Sequence, residues 1–205
     1  MNSSRLILLV TIFIVLIGNI LFWEKLVSLV KLDSLQGWLT LAGFFMVLVW
    51  ILATLLLPLG MRYLLKPSLI LILISSAIIS YFQNDMGIIV NEAMIQSLFE
   101  SNLKESTEFL SLTYFYYFIG LGVIPALIVA WMPIDYRGFW RDWGQRLLTW
   151  LGITLITILV GWLAFKDMAL IGREQRDLRM QLNPYFAISS ASRYFYNTLN
   201  AAPSV

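Results

Sequence analysis

Trp38-Leu39-Thr40-Leu41-Ala42-Gly43-Phe44-Phe45-Met46-Val47-Leu48-Val49-Trp50-Ile51-Leu52-Ala53-Thr54-Leu55-Leu56-Leu57 runs for twenty residues without a charge. A bilayer's hydrocarbon core is about 30 Å thick, and a helix needs roughly 20 apolar residues to cross it. The run is therefore read as a transmembrane helix. Four more stretches read the same way: Leu6–Trp23, Ser68–Phe82, Leu112–Trp131 and Leu147–Phe165. Ser68–Phe82 is the shortest, and it is expected to begin earlier, through Tyr63, Leu64 and Leu65, in spite of Lys66 and Pro67. The 205 residues have a mean hydropathy of +0.80 and only 13% are charged, against roughly 25% in a soluble domain. The fold class expected is all-α: a polytopic membrane protein of five transmembrane helices, with amphipathic or interfacial helices on the periplasmic side.

Composition removes several functions. The net charge is +2 and the cations stand at span ends rather than along a stripe, so no nucleic-acid partner is expected. The chain has no cysteine, which excludes disulfides. It has no histidine either. A zinc site would then rest on carboxylates alone, which zinc sites rarely do, and a Ser-His or Cys-His nucleophilic pair is impossible. No catalytic residue, metal or cofactor is expected within this chain. Met1–Arg5 followed by an apolar run resembles a signal peptide, but Asn19, Trp23 and Glu24 replace a small-residue cleavage site. The first span is expected to remain as an uncleaved anchor.

Five spans place the termini on opposite sides. With the N-terminus in the cytoplasm, Arg5, Arg62, Lys66, Arg137, Arg141 and Arg146 are inside and Lys25, Lys31 and Lys104 lie in the outer loops. The positive-inside rule favours that orientation, although Lys166, Arg173, Arg176, Arg179 and Arg193 fall outside. Trp23, Trp38, Trp131, Trp143, Trp150 and Trp162 stand near span ends, as an aromatic belt requires. Pro58 is expected to end or bend the second span and Pro125 to kink the fourth. The organisation expected is a membrane domain over 1–165 with a periplasmic helical loop at 83–111. Bridging helices and the start of a linker then follow over 166–205, interrupted at Asn183-Pro184 and resuming around Ser189–Leu199.

The loop holds the candidate site. Met94-Ile95-Gln96-Ser97-Leu98-Phe99-Glu100-Ser101-Asn102-Leu103-Lys104-Glu105 is polar and helix-forming, and Ser97, Ser101 and Glu105 fall at i, i+4 and i+8, within about one 80° sector. Such a segment lies on a membrane surface with its hydroxyls and one carboxylate on a single face. Two roles fit Glu105. It can bind an ammonium by a charge-assisted hydrogen bond, or it can close a capping box at N3 with Asn102 as N-cap. Ser97 and Ser101 taken alone read first as surface hydroxyls and only second as ligands. Asn19, near the outer end of the first span, reads as a bond to a neighbouring helix. Arg173, Arg176 and Arg179 read first as snorkelling at the interface or pairing with Glu174 and Asp177, and only second as contacts to lipid phosphates; Asp167 beside Lys166 reads as a local pair.

Taken in order, several pieces resemble one family. They are Asn19 with Phe22-Trp23, Arg62-Tyr63-Leu64-Leu65-Lys66-Pro67, Ser80-Tyr81-Phe82, Met94-Ile95-Gln96, Gly122-Val123-Ile124-Pro125-Ala126-Leu127, Asp135-Tyr136, Phe165-Lys166-Asp167 and Leu178-Arg179 before Asn183-Pro184. Together they are similar to the N-terminal membrane domain of the lipid A phosphoethanolamine transferases, which include the mobile colistin-resistance enzymes. The resemblance implies a role as membrane anchor and lipid-binding domain of an enzyme that moves phosphoethanolamine from phosphatidylethanolamine to lipid A in the bacterial inner membrane. It implies a further periplasmic domain bearing the threonine nucleophile and zinc, so this chain alone is expected to be inactive. It also implies that Ser97, Ser101 and Glu105 occupy the family's Asn, Thr and Glu lipid-binding positions, with only the glutamate unchanged. A family aspartate is Asn91 here and a family tyrosine is Met168. The other classes considered are a small transporter or channel, which would need charges well inside a span, and the membrane half of a transferase for another glycolipid.

Overall fold

The computed structural model describes residues 1–91, 93–96, 111–135, 138–175, 178 and 180–200. Seven helices carry the described architecture: α1 Ser3–Ile17, α2 Ile20–Leu29, α3 Leu35–Leu56, α4 Leu65–Asn84, α5 Leu112–Trp131, α6 Phe139–Glu174 and α7 Tyr185–Asn200. No strand occurs among the described residues. Four of these helices are long and apolar enough to span a bilayer, and α1 with α2 passes the same test only when the two are taken together across their bend, which makes up to five.

The break is the main departure from the expected first span. Instead of one helix over Leu6–Trp23, α1 and α2 meet at Gly18-Asn19 with a bend of 61°. The backbone passes so close to α4 that a Cβ at Gly18 would lie 2.8 Å from Ser76 Oγ and 2.6 Å from the Ile14 carbonyl. A bend in hydrocarbon frees carbonyls that no water reaches. Here side chains take them up: Asn19 Nδ2 donates to Ile14 O at 2.9 Å and Trp23 Nε1 to Val15 O at 2.7 Å.

Each remaining helix has local causes. Ser34 caps α3 by accepting from Gly37 N at 3.1 Å, and α3 ends two residues before Pro58, as expected. Pro67 falls in the first turn of α4, where its missing N–H costs nothing. In α5 the expected distortion at Pro125 takes the form of a π-helical turn over Phe118–Val123. The proline ring crowds the carbonyl four residues back, and a widened turn relieves that crowding. α6 has 36 residues, about 54 Å at 1.5 Å per residue. It exceeds the expected Leu147–Phe165 at both ends and runs unbroken across the 165/166 boundary drawn above.

α3 and α6 pack along most of their length, α5 lies against α4, and α1 touches α3, α4 and α6. Leu6, Ile7, Val10 and Ile14 of α1 are buried among Leu52 and Leu56 of α3 and Leu69 and Leu73 of α4. The α3–α6 seam carries two reciprocal polar ties: Trp50 Nε1 donates to Thr154 Oγ1 at 2.8 Å and Trp150 Nε1 to Thr54 Oγ1 at 2.9 Å. Both helices carry a Trp-x-x-x-Thr spacing and run antiparallel, so each tryptophan finds the other's threonine. Gly122 brings α5 onto α4, where a Cβ would sit 3.1 Å from Ala77 Cβ.

One end of the bundle is tied by charged groups. The Met1 ammonium donates to Pro133 O at 3.0 Å, Asp135 N to Met1 O at 3.1 Å and Lys66 Nζ to Ala130 O at 2.6 Å. Arg146, buried, donates to Gly60 O and, at 3.4 Å, to Ser3 Oγ. The α2–α3 turn, the α4 C-terminus and the start of α7 are turned toward the other end.

Candidate functional site

Ser97, Ser101 and Glu105 lie outside the described residues, as do Asn102, Arg176, Asp177 and Arg179. The chain on either side of 97–110 is described, and both sides meet at one place. Asn91 caps a helical turn at 93–96, its Oδ1 accepting from Met94 N at 2.9 Å. Ile95 of that turn is buried with Val90, Tyr81 and Phe82. On the far side, Ser111 caps α5 by accepting from Tyr114 N at 3.1 Å, and its Oγ lies 3.0 Å from Tyr81 Oη. Residues 95 and 111 are therefore both held against the C-terminal end of α4. Tyr81 is the shared support, with Tyr114 edge-on at 5.2 Å and Tyr117 at 6.1 Å between ring centroids.

α7 completes that support. Ala187, Ala191 and Tyr194 fall on one face at i, i+4 and i+7 and pack into the cluster of Tyr81, Val90 and Ile95. The segment begins at 185 rather than near 189 because Asn183 holds its start. Asn183 Nδ2 donates to Gly18 O at 3.0 Å, Ser76 O at 2.8 Å and Ser80 Oγ at 2.9 Å. Its backbone exchanges two bonds with Asn19: Asn183 N donates to Asn19 Oδ1 at 2.8 Å, and Asn19 Nδ2 donates to Asn183 O at 2.9 Å. Ser80 Oγ also donates to Gly18 O at 3.0 Å. Asn19 was expected to bond to a neighbouring helix; it bonds instead to Ile14 O behind it and to the backbone of Asn183, in the turn that precedes α7. Asn183 was not singled out as its partner, nor were Ser76 and Ser80, which accept from Asn183; Ser75, Ser76 and Ser80 are polar residues inside an otherwise apolar span.

Beside this latch lies an apolar cavity of about 150 Å³ between Val15, Leu52, Leu55, Leu182, Tyr185 and Ile188. Among the described residues no three His, Cys, Asp or Glu side chains come together to hold a metal. Asp167 is partly buried and faces a separate pocket with Lys31, while Lys166 is exposed, so the local Lys166–Asp167 pair is not formed.

The family profile described as phosphoethanolamine transferase EptA/EptB matches residues 48–199. The phosphatidylethanolamine transferases Mcr-2 and Mcr-1 of Escherichia coli are 31% identical over 193 residues and 32% over 189, covering 94% and 90% of this chain. The chain spans about a third of their length, 35% and 34%. The solved structure of the integral membrane lipooligosaccharide phosphoethanolamine transferase A from Neisseria meningitidis superposes with a TM-score of 0.88 at 23% identity, over 98% of this chain and 38% of that one. That likeness establishes the arrangement of the helices.

Proposed function

Because the chain belongs to the phosphoethanolamine transferase EptA/EptB family, we propose that it is the membrane-embedded, lipid-presenting part of an enzyme that moves phosphoethanolamine from phosphatidylethanolamine to lipid A. Such transfer lowers the negative charge of lipid A and so weakens binding of cationic polymyxins such as colistin. The reading is carried by the family match over 48–199, which includes Ser97, Ser101 and Glu105. Placement of both flanks of 97–110 against Tyr81 supports it, because that support is shared with α7, the element that leads out of the bundle.

In this reading Glu105 holds the donor's ammonium by a charge-assisted bond, and Ser101 and Ser97 accept or donate to its phosphate or glycerol oxygens. The chain works in the bacterial inner membrane with its N-terminus in the cytoplasm. Its partners are phosphatidylethanolamine, lipid A and a catalytic domain outside these residues. Zinc belongs to that domain: with no histidine, no cysteine and no three-ligand cluster among the described residues, this chain does not fit the ion.

Glu105→Gln in the full-length enzyme tests the site. The substitution keeps size and most hydrogen bonding but removes the charge. It is expected to cost about 1.5–3 kcal/mol of donor recognition, roughly one to two orders of magnitude in transfer efficiency. Ser101→Ala is expected to cost about 0.5–1.5 kcal/mol, the range of a neutral hydrogen bond. A fall in melting temperature with transfer per folded molecule intact would instead make Glu105 a helix cap.

A further inference from the structure

Asn183 stands at the middle of the bilayer. Its Nδ2 donates to Ser76 O at 2.8 Å, and Ser76 lies ten residues from Lys66 and nine from Asp85 at the two ends of α4. At 1.5 Å per residue those are about 15 and 14 Å, half of a hydrocarbon core about 30 Å thick. α3 gives the same depth: Leu182 shares a cavity with Leu48, ten residues inward of Trp38, again about 15 Å. α6 ends at Glu174, just beyond Ile171, which lines a pocket with Lys31 and Ser34 of the α2–α3 turn. Asn183 is thus set well inside the bundle from the end of α6, and α7 starts from within the membrane.

Hydrogen bonds rather than packing fix that start. The cavity of about 150 Å³ separates Leu52 and Leu55 of α3 from Tyr185 and Ile188 of α7, and the walls of a void lose their dispersion contacts. Tyr185 and Ile188 are exposed. What remains is the exchange with Asn19 and the donation from Asn183 Nδ2 to Gly18 O, Ser76 O and Ser80 Oγ. Asn183 itself is buried, and its Oδ1 meets no partner among the described residues. A bare acceptor at this depth costs stability. A side chain that served stability alone would not carry that cost; one that fixes a position does.

The position it fixes bears on the candidate site. Within the next three turns Ala187, Ala191 and Tyr194 pack against Tyr81, Val90 and Ile95. Tyr81 in turn meets Ser111, with 3.0 Å between the two hydroxyl oxygens. Displacing Asn183 therefore moves the support on which both flanks of 97–110 rest.

We propose, on the functional reading given above, that Asn183 is a positioning residue for the donor lipid. It acts through α7 on the placement of Ser97, Ser101 and Glu105 and does not touch the lipid itself.

The test measures transfer by the full-length enzyme in detergent, per folded molecule, at varied phosphatidylethanolamine and saturating lipid A. Asn183→Ala is expected to raise the donor KM about tenfold, within the range set by an ångström-scale misplacement. Its kcat is expected to stay within about twofold, the pattern of lost binding rather than lost chemistry. Ser80→Ala removes one acceptor and is expected to raise the donor KM about two- to threefold, a single neutral hydrogen bond; it decides the matter if Asn183→Ala does not fold. In a Glu105→Gln background Asn183→Ala is expected to add less than about twofold, because residues acting through one site are not additive. Thr154→Val is the control: it breaks the Trp50–Thr154 tie in the α3–α6 seam and is expected to lower the melting temperature without moving the donor KM. An active parent enzyme whose donor KM is unmoved by Asn183→Ala and Ser80→Ala would overturn the positioning role. An equal rise in Thr154→Val would overturn it too, since any loss of stability would then suffice. A full additional rise in the Glu105→Gln background would overturn the route through that site. A parent enzyme that transfers nothing would overturn the functional reading, and this role with it.

Discussion

Asn183 donates from one amide nitrogen toward three acceptors contributed by α1 and α4, and its backbone answers Asn19 from both sides. In a setting without water each of those carbonyls is expensive to leave bare. Asn183→Ala is therefore expected to cost about 1–3 kcal/mol. Thermal unfolding in detergent would read this as a fall of roughly 2–4 °C per kcal/mol for a chain of this size. Asn183→Asp is expected to fall further at neutral pH, because a carboxylate oxygen would face three oxygens. Melting curves superposable on the parent protein would show the latch to be idle. Asn19 was legible in the sequence because an amide near the end of an apolar run must find a partner. Its partner was not legible: Asn183 lies 164 positions away, and Ser76 and Ser80 are joined to Asn183 across 107 and 103. Hydropathy has no term for such distances. The same holds for Thr54 and Thr154, whose Trp-x-x-x-Thr spacing acquires meaning only once α3 and α6 are known to be antiparallel neighbours.

The helices themselves were read well wherever composition alone decides. α3 stops at Leu56 ahead of Pro58, but it starts at Leu35, capped by Ser34, rather than at the expected Trp38; α4 starts at Leu65, short of the expected extension back to Tyr63, with Pro67 in its first turn. What composition cannot see is direction. Gly18-Asn19 barely lowers the apolarity of its window, yet the chain turns there because α4 is close enough to exclude a side chain. Gly18→Ala is expected to destabilise by about 1–3 kcal/mol, the cost of overpacking, since its Cβ would meet the Ile14 carbonyl and Ser76 Oγ. Gly161 in α6 is the control: a Cβ there meets nothing within 4 Å. Gly161→Ala is expected to be neutral or to stabilise by up to about 1 kcal/mol through helix propensity. Melting temperatures of the two variants, measured side by side, decide the matter, and equal shifts would remove the close-approach account of the bend. The length of α6 escaped for a related reason. Its outer turns carry Lys166, Asp167, Arg173 and Glu174, so an apolar count stops where the helix does not.

At the scale of the whole chain the bundle has two chemically different ends. One gathers the Met1 ammonium, Lys66 and Arg146 onto carbonyls of the 57–60 and 130–133 segments. Such interlocking suits short loops that are never translocated. The other end carries the α2–α3 turn, the 84–111 excursion and the exit through α7, the longer and more varied connections. The cation count favours the first end as cytoplasmic, with Arg5, Arg62, Lys66, Arg137, Arg141 and Arg146 there against Lys25, Lys31 and Lys104 in the two opposite loops. That expectation rests on a rule that acts on short loops, and Lys166, Arg173, Arg176, Arg179 and Arg193 count against it. The broken first span puts the count at risk, however. If α1 and α2 formed a re-entrant hairpin instead of a crossing, the N-terminus would change sides while the other loops kept theirs. The Met1–Pro133 bond argues against this, since it ties the N-terminus to the α5–α6 loop. A reporter active only in the periplasm is expected to be active when fused after Asp33, Phe82 or Gln175, and silent after Gly60 or Pro133. The reversed pattern would place Ser97, Ser101 and Glu105 in the cytoplasm and end their candidacy for a periplasmic lipid. Activity after Gly60 and Phe82 together would mean that α4 does not cross, contrary to its 20 residues and its contact with α1 along the core.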